Sequence, residues 1–244
     1  MCCSGTLNSV LGLPDSITVV LFDLDGVLAS TTVVHREAWK RTFDTFLRAQ
    51  AGKEYLPFDE QDYLDHIHGR VSTDGVRTFL RSRRIDASAE TVQMIGAAKN
   101  ATFLAALAGG AVAAYPGSIR YLAAVQRRGL RIGVVTSSIN SKAVLDATGL
   151  SRFVQYRIDG IEISRTGMRG KPAPDSFLAG AAAFGATPSE TAVFEDALSG
   201  VQAGRAGGFG LVVGIDHVGG NQAAAMRVAG ADVVVHDLDE LLTA

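Results

Sequence analysis

No apolar run in this sequence approaches the ~20 residues that a membrane-spanning helix needs. Basic residues form no block and no stripe interleaved with aromatics. Lysines and arginines number 23 against 25 aspartates and glutamates, a net charge of −2, so the charge pattern gives no sign of nucleic-acid binding. Cysteine is nearly missing. The only two, Cys2 and Cys3, are adjacent and too constrained for an ordinary disulfide staple, which excludes a disulfide scaffold and fits a reducing compartment. The opening stretch MCCSGTLNSVLGLPDS has neither a positive n-region nor a cleavage-site pattern, which argues against a secretory signal, and a flexible tail over 1–16 is expected. The expected location is the cytoplasm, with no nucleic acid or membrane as partner.

What is present is a chain of 244 residues, 47% of them hydrophobic, enough for one large domain or two small ones. Six strand-like runs recur: ITVVLFDLD, RIGVVTSS, RFVQYRIDG, TAVFEDA, FGLVVGID and ADVVVHDLDEL. They are rich in Val and Ile and apolar on both faces, the pattern of parallel strands covered on two sides. Helical patterns lie between them, in GSIRYLAAVQRRG, SKAVLDATGL, PDSFLAGAAAFG and LSGVQAGRAGG, several ending at Gly. This alternation predicts an α/β fold, a doubly wound, Rossmann-like parallel sheet. The rhythm breaks from 31 to 110, where only helical periodicity is found. HREAWKRTFDTFL sets Trp39, Phe43, Phe46 and Leu47 on one face. The expected domains are therefore a core of 17–30 plus 111–244 and an inserted helical cap over 31–110.

Polar clusters end the strand runs: Asp23 and Asp25, then Thr136-Ser137-Ser138, then Glu195-Asp196, with Lys171 in the GKPAPD loop before a helix. In open parallel sheets ligands bind beyond the carboxyl ends of the strands, so these clusters can converge. Carboxylates ending a buried strand cost desolvation energy unless compensated. Four crowded together call for a divalent cation, and hard oxygen ligands in small number suit Mg²⁺, which completes its shell with water and substrate phosphate. Thr136 and Lys171 are phosphate-binding types, beside amides at helix starts. The constellation predicts Mg²⁺-assisted phosphoryl transfer. Asp-x-Asp-Gly is not an EF-hand loop, because Gly26 is fourth and Val34 twelfth where Gly at six and Glu at twelve are needed. GGFGLVVG precedes its strand and lacks the G-x-G-x-x-G spacing of a dinucleotide site.

DLDGVL, the VVTSS strand end, GKPAPD and FEDALSG resemble, in order, the four motifs of the haloacid dehalogenase superfamily. HREAWK, Lys99-Asn100, YPGS and TSSIN resemble its β-phosphoglucomutase group. The resemblance implies Asp23 as nucleophile, forming an aspartyl-phosphate, and Asp25 as general acid–base. It implies Mg²⁺ held by Asp23, the Asp25 carbonyl, Glu195 and Asp196. Thr136, Ser137 and Lys171 would bind the transferring phosphate. His35, Trp39, Lys99, Ser138 and Asn140 would contact a small phosphorylated sugar, on a protein expected to act as a monomer. Two positions depart from the group. Ser30 replaces an acidic residue, and Ser72 stands where a cap arginine is expected for the distal phosphate. The resemblance implies a sugar phosphomutase taking β-glucose 1-phosphate to glucose 6-phosphate, whose bisphosphate intermediate needs a cation at each end; Arg70, two residues upstream of Ser72, would substitute there, with Lys99 and Asn140 as further candidates. The alternatives are a phosphatase using the same site, a carbon–halogen hydrolase, disfavoured by Asp25, and a non-catalytic domain, disfavoured by so many retained charges.

Overall fold

The computed structural model describes residues 7–8, 10–51 and 54–243. Its centre is a parallel sheet of six strands: β3 (Val19–Phe22), β4 (Arg131–Val135), β5 (Tyr156–Ile158), β6 (Thr191–Glu195), β7 (Leu211–Ile215) and β8 (Val233–Val235). The strand order is β5-β4-β3-β6-β7-β8. These are the six apolar runs, and every adjacent pair in the sheet is parallel. Successive side chains of β3 go to opposite faces, as strand geometry requires. Val20 and Phe22 join one buried cluster with Tyr121, Leu122 and Val125 of α5 (Pro116–Arg127). Val19 and Leu21 join another with Phe177 and Ala181 of α8 (Asp175–Ala183) and Val201 of α9 (Leu198–Ala206). Burial on both faces is why β3 reads as an unbroken apolar run.

The remaining core helices are α6 (Ser141–Ala147), α7 (Gly160–Thr166) and α10 (Gln222–Ala229). Between β3 and α5 lie four helices: α1 (Thr32–Ala51), α2 (Glu60–His66), α3 (Ser72–Ser82) and α4 (Ala89–Ala108). They enclose a separate cluster in which Trp39, Phe43, Phe58 and Phe79 pack ring against ring. α2 begins with a capping box, Asp59 and Asp62 each accepting the other's backbone N–H. Among the described residues no helix is long and apolar enough to cross a membrane.

The expected flexible tail over 1–16 lies partly outside the described residues, and its described part, 7–8 and 10–16, is ordered. Strands β1 (Leu7–Asn8) and β2 (Leu13–Pro14) pair as a short antiparallel ladder. Leu11 and Leu13 are buried in the same cluster as Phe22, and the Tyr121 hydroxyl donates to the Leu11 carbonyl (2.9 Å). Two apolar side chains and a buried hydrogen bond hold this segment against the core. Cys2 and Cys3 lie outside the described residues.

Candidate active site

The sheet register assembles the site. Phe22 is opposite Val134 on one side and Phe194 on the other, and the Asp23 N–H continues the ladder by donating to the Phe194 carbonyl (2.9 Å). Asp23 thus leaves the central strand flanked by Thr136 after β4 and Asp196 after β6. The chain turns sharply after Asp25, where Gly26 has φ of +81°. A Cβ there would run into Asp196 Oδ2 and Thr32 Oγ1, so a side chain is excluded by space as well as by backbone conformation.

Lys171 is buried behind Asp23. Its ammonium donates to Asp23 Oδ1 (2.5 Å), Glu195 Oε1 (2.6 Å) and the Val135 carbonyl (3.2 Å). Burial alone would lower its pKa, but the carboxylates of Asp23 and Glu195 outweigh that and raise it. Burial pushes the Asp23 carboxyl well above the usual range. Lys171 pulls against this, while Glu195, Asp25 and Asp196 add to the upward push. Lys171 contacts two of the four carboxylates, Asp23 and Glu195, so negative charge is in excess around Asp23.

Asp25 is held by three donors. Thr31 Oγ1 and His35 Nε2 reach Oδ1 (2.6 and 3.1 Å), and Thr136 Oγ1 reaches Oδ2 (3.1 Å). Burial would raise its pKa, but His35, Thr31 and the charge of Lys99 together hold it below the ordinary carboxylate range. The Lys99 ammonium donates to His35 Nδ1 (2.5 Å). An ammonium has no acceptor, so Nδ1 must accept, leaving the His35 proton on Nε2 to donate to Asp25. Burial and Lys99 both disfavour the imidazolium and lower the His35 pKa, against the pull of Asp25. Burial brings Lys99 itself down to about 8, with Asp25 opposing. The ring of His35 stacks on Phe103 (4.1 Å between centroids), and the Lys99 ammonium lies over Trp39 and Phe103 (5.2 and 5.1 Å).

The cap rests on the core across this site. Ser137 Oγ donates to the Gly69 carbonyl (2.9 Å), Asn140 Nδ2 to Asn100 Oδ1 (2.7 Å), and His68 Nε2 meets Asp196 Oδ2 (3.1 Å). Between cap and core lies a pocket of about 90 Å³. Of the residues singled out from sequence, Asp23, Asp25, His35, Trp39, Arg70, Lys99, Thr136, Ser137, Ser138, Asn140 and Asp196 line it, as does Ser72. Lys171 and Glu195 do not. Glu195 is fully buried, one oxygen on Lys171 and the other accepting the Ala197 N–H (2.9 Å), so in this arrangement it orients Lys171 instead of facing the pocket. Sequence reasoning missed Thr31 and His68, and noted Asn100 only beside Lys99, without a role. A hydroxyl six residues beyond Asp25, where α1 begins, was a usable signal for Thr31. No local pattern marks His68.

The donor set fits a hard cation. Asp23, Asp25 and Asp196 offer oxygen alone, and Thr32 Oγ1, beside Asp196 Oδ2 at the Gly26 turn, is buried with no hydrogen-bond partner among the described residues. Asp23 and Asp196, with the Asp25 carbonyl, could hold such an ion.

A family model described as haloacid dehalogenase-like hydrolase matches residues 17–208. The chain is 49% identical to a protein named β-phosphoglucomutase from Mycobacterium tuberculosis, over 96% of this chain and 95% of that one. Among solved structures, a hydrolase from Pseudomonas syringae superposes with a TM-score of 0.79 at 24% identity, covering 92% of this chain and 95% of that one. CbbY from Rhodobacter sphaeroides, in complex with phosphate, gives 0.74 at 26% identity, covering 92% and 96%. Four ordered motifs, one parallel sheet with its acidic strand ends and these matches lead to one assignment: the chain belongs to the haloacid dehalogenase-like hydrolase family, in its β-phosphoglucomutase-like group.

Proposed function

We propose that this protein is a Mg²⁺-dependent sugar phosphomutase that converts β-glucose 1-phosphate to glucose 6-phosphate through a phosphoryl group carried on Asp23. The observation that carries this reading is the pairing of two carboxylates with different environments. Asp23 sits against Lys171, while Asp25 is joined to the cap through His35 and Lys99. The similarity to the mycobacterial β-phosphoglucomutase along almost the whole chain supports it.

Asp23 attacks phosphorus, and the sugar oxygen leaves with a proton from Asp25. Asp25 is held ionised in this arrangement, which suits the half-cycle in which it takes a proton from an attacking sugar hydroxyl. The proton it gains there is the one it returns when the next sugar oxygen leaves. Mg²⁺, when bound, neutralises carboxylate and phosphoryl oxygens. Thr136 and Ser137 bind the phosphoryl group, with Lys171 behind it, and Ser138, Asn140, His35 and Trp39 hold the sugar. Cap and core side chains each form one wall of the pocket, so substrate enters between them and opening of the cap widens that entry.

Arg70 lines the cap side of the pocket, where Ser72 cannot supply charge. An Arg–phosphate contact is strong and often bidentate. Arg70→Ala should therefore cut isomerisation much more than hydrolysis of a small phosphate ester that never reaches the cap. An equal loss of both contradicts the mutase reading. Ser72 favours the second reading, hydrolysis of a small sugar phosphate. Under it the wild type releases free phosphate readily, and Ser72→Arg raises the ratio of isomerisation to hydrolysis.

Lys99 gives the reading a pH signature. Its ammonium loses its proton as pH rises through about 8, removing a positive charge from the pocket. KM for a sugar phosphate should rise above that pH, and Lys99→Arg, charged throughout, should remove the rise. A rise that persists in Lys99→Arg excludes Lys99 as its source.

A further inference from the structure

Among the described residues, His68 is the cap side chain that bonds to Asp196, a carboxylate proposed above to hold Mg²⁺. It sits in the turn between α2 and α3, tied at three points. Its N–H donates to the Tyr63 carbonyl (2.9 Å), its ring stacks on Tyr63 (5.3 Å between centroids, 27°), and its carbonyl accepts from Ser199 Oγ (3.3 Å). The next residue, Gly69, has φ of +74°, and a Cβ there would collide with Ser199 Oγ and Ala197 Cβ. The backbone of 68 and 69 therefore lies directly on the loop that carries Asp196, and only glycine allows the approach. Both sides of the His68–Asp196 pair are about one-tenth exposed, so water does not screen the bond.

From this geometry we infer that His68 is a positioning residue, a link through which docking of the cap orients Asp196 for the metal. The inference rests on the Mg²⁺ reading of the site. A carboxylate held by a donor at Oδ2 keeps its free lone pairs in a defined direction, and outer-shell donors of this kind typically change metal affinity ~10–100-fold when removed. The link also runs in reverse: a metal that favours the oriented Asp196 favours the docked cap, because coupling between two sites is reciprocal. An open cap withdraws the donor and a closed cap restores it. Mg²⁺ is then held most firmly when the pocket is shut against water.

Two variants separate this from a packing role. His68→Phe keeps a ring on Tyr63 and loses the donor. Gly69→Ala keeps His68 but lifts its loop from Ser199 and Ala197. Titrating Mg²⁺ calorimetrically into the full-length protein, with folding checked by circular dichroism, should show both variants binding ~10–100-fold more weakly than wild type. His68→Gln, which restores an N–H near the Nε2 position, should recover most of the affinity. Wild-type affinity in either of the first two variants overturns the inference, as does tighter binding in His68→Phe, which would make the imidazole a competitor of the cation. A wild type that takes up no Mg²⁺ overturns the metal reading and this inference with it. Binding in the wild type with no loss in His68→Phe overturns this inference alone.

Discussion

Lys171→Met should destabilise the protein by ~3–5 kcal/mol and abolish turnover. The ammonium is buried with Asp23 on one side and Glu195 on the other, and Glu195 has only the Ala197 N–H besides. Methionine fills similar space but leaves two carboxylates in low dielectric without their cation. The sign of the pH dependence follows from the raised pKa of Lys171. A lysine whose folded pKa lies above its unfolded value stabilises fully below that unfolded value, ~10.4, and the contribution is lost only as pH rises through the folded value. The deficit of the variant should therefore be complete at neutral pH and shrink only in strong alkali. Chemical denaturation of wild type and variant measures it. Adding Glu195→Gln to Lys171→Met should recover part of the stability and none of the activity. A single variant as stable as wild type would show that the triad is not the buried unit described.

Asp23→Asn should lower turnover by roughly 10⁴-fold or more, since no other group can carry the phosphoryl through the reaction. The fold should survive. Asparagine is isosteric, its one carbonyl can accept from either the Asp25 N–H or Lys171 but not both, and Lys171 keeps Glu195. Burial and three neighbouring carboxylates raise the Asp23 pKa, so its ionised form carries a cost that the neutral amide removes. Thermal unfolding near the wild-type midpoint with turnover gone is the expected pair of results. Appreciable residual turnover refutes the assignment, and so does beryllium fluoride, a mimic of the phosphoryl group, found on another residue.

How much of this was legible follows from where the determining contacts lie along the chain. The inner strands β3, β4, β6 and β7 were readable because burial on both faces leaves almost no polar residue within a strand, while the edge strands β5 and β8 are only partly buried, and Asp23, Thr136 and Asp196 were readable because each breaks such a run. α10 was not, since Met226 is its only buried residue and no apolar stripe forms. α2, seven residues long, depends on its cap box and Tyr63 more than on periodicity. Residues 10–16 look like a tail because Leu11 and Leu13 find their partners only in the folded protein, beside Tyr121 and Leu241. The same reason hides His68, whose partner is 128 residues away. Glu195 shows the converse. Its place at a strand end suggested a metal ligand, but which way a carboxylate turns there depends on Lys171, which the spacing alone cannot orient.

The most direct test of the central claim is the product formed by the wild type. Incubation with Mg²⁺, β-glucose 1-phosphate and a trace of glucose 1,6-bisphosphate, following glucose 6-phosphate and free phosphate together, asks whether a sugar hydroxyl or water takes the phosphoryl group from Asp23. Glucose 6-phosphate is expected as the dominant product, with little free phosphate and no reaction in excess chelator. Free phosphate released in step with substrate loss, or full activity in chelator, would contradict the claim.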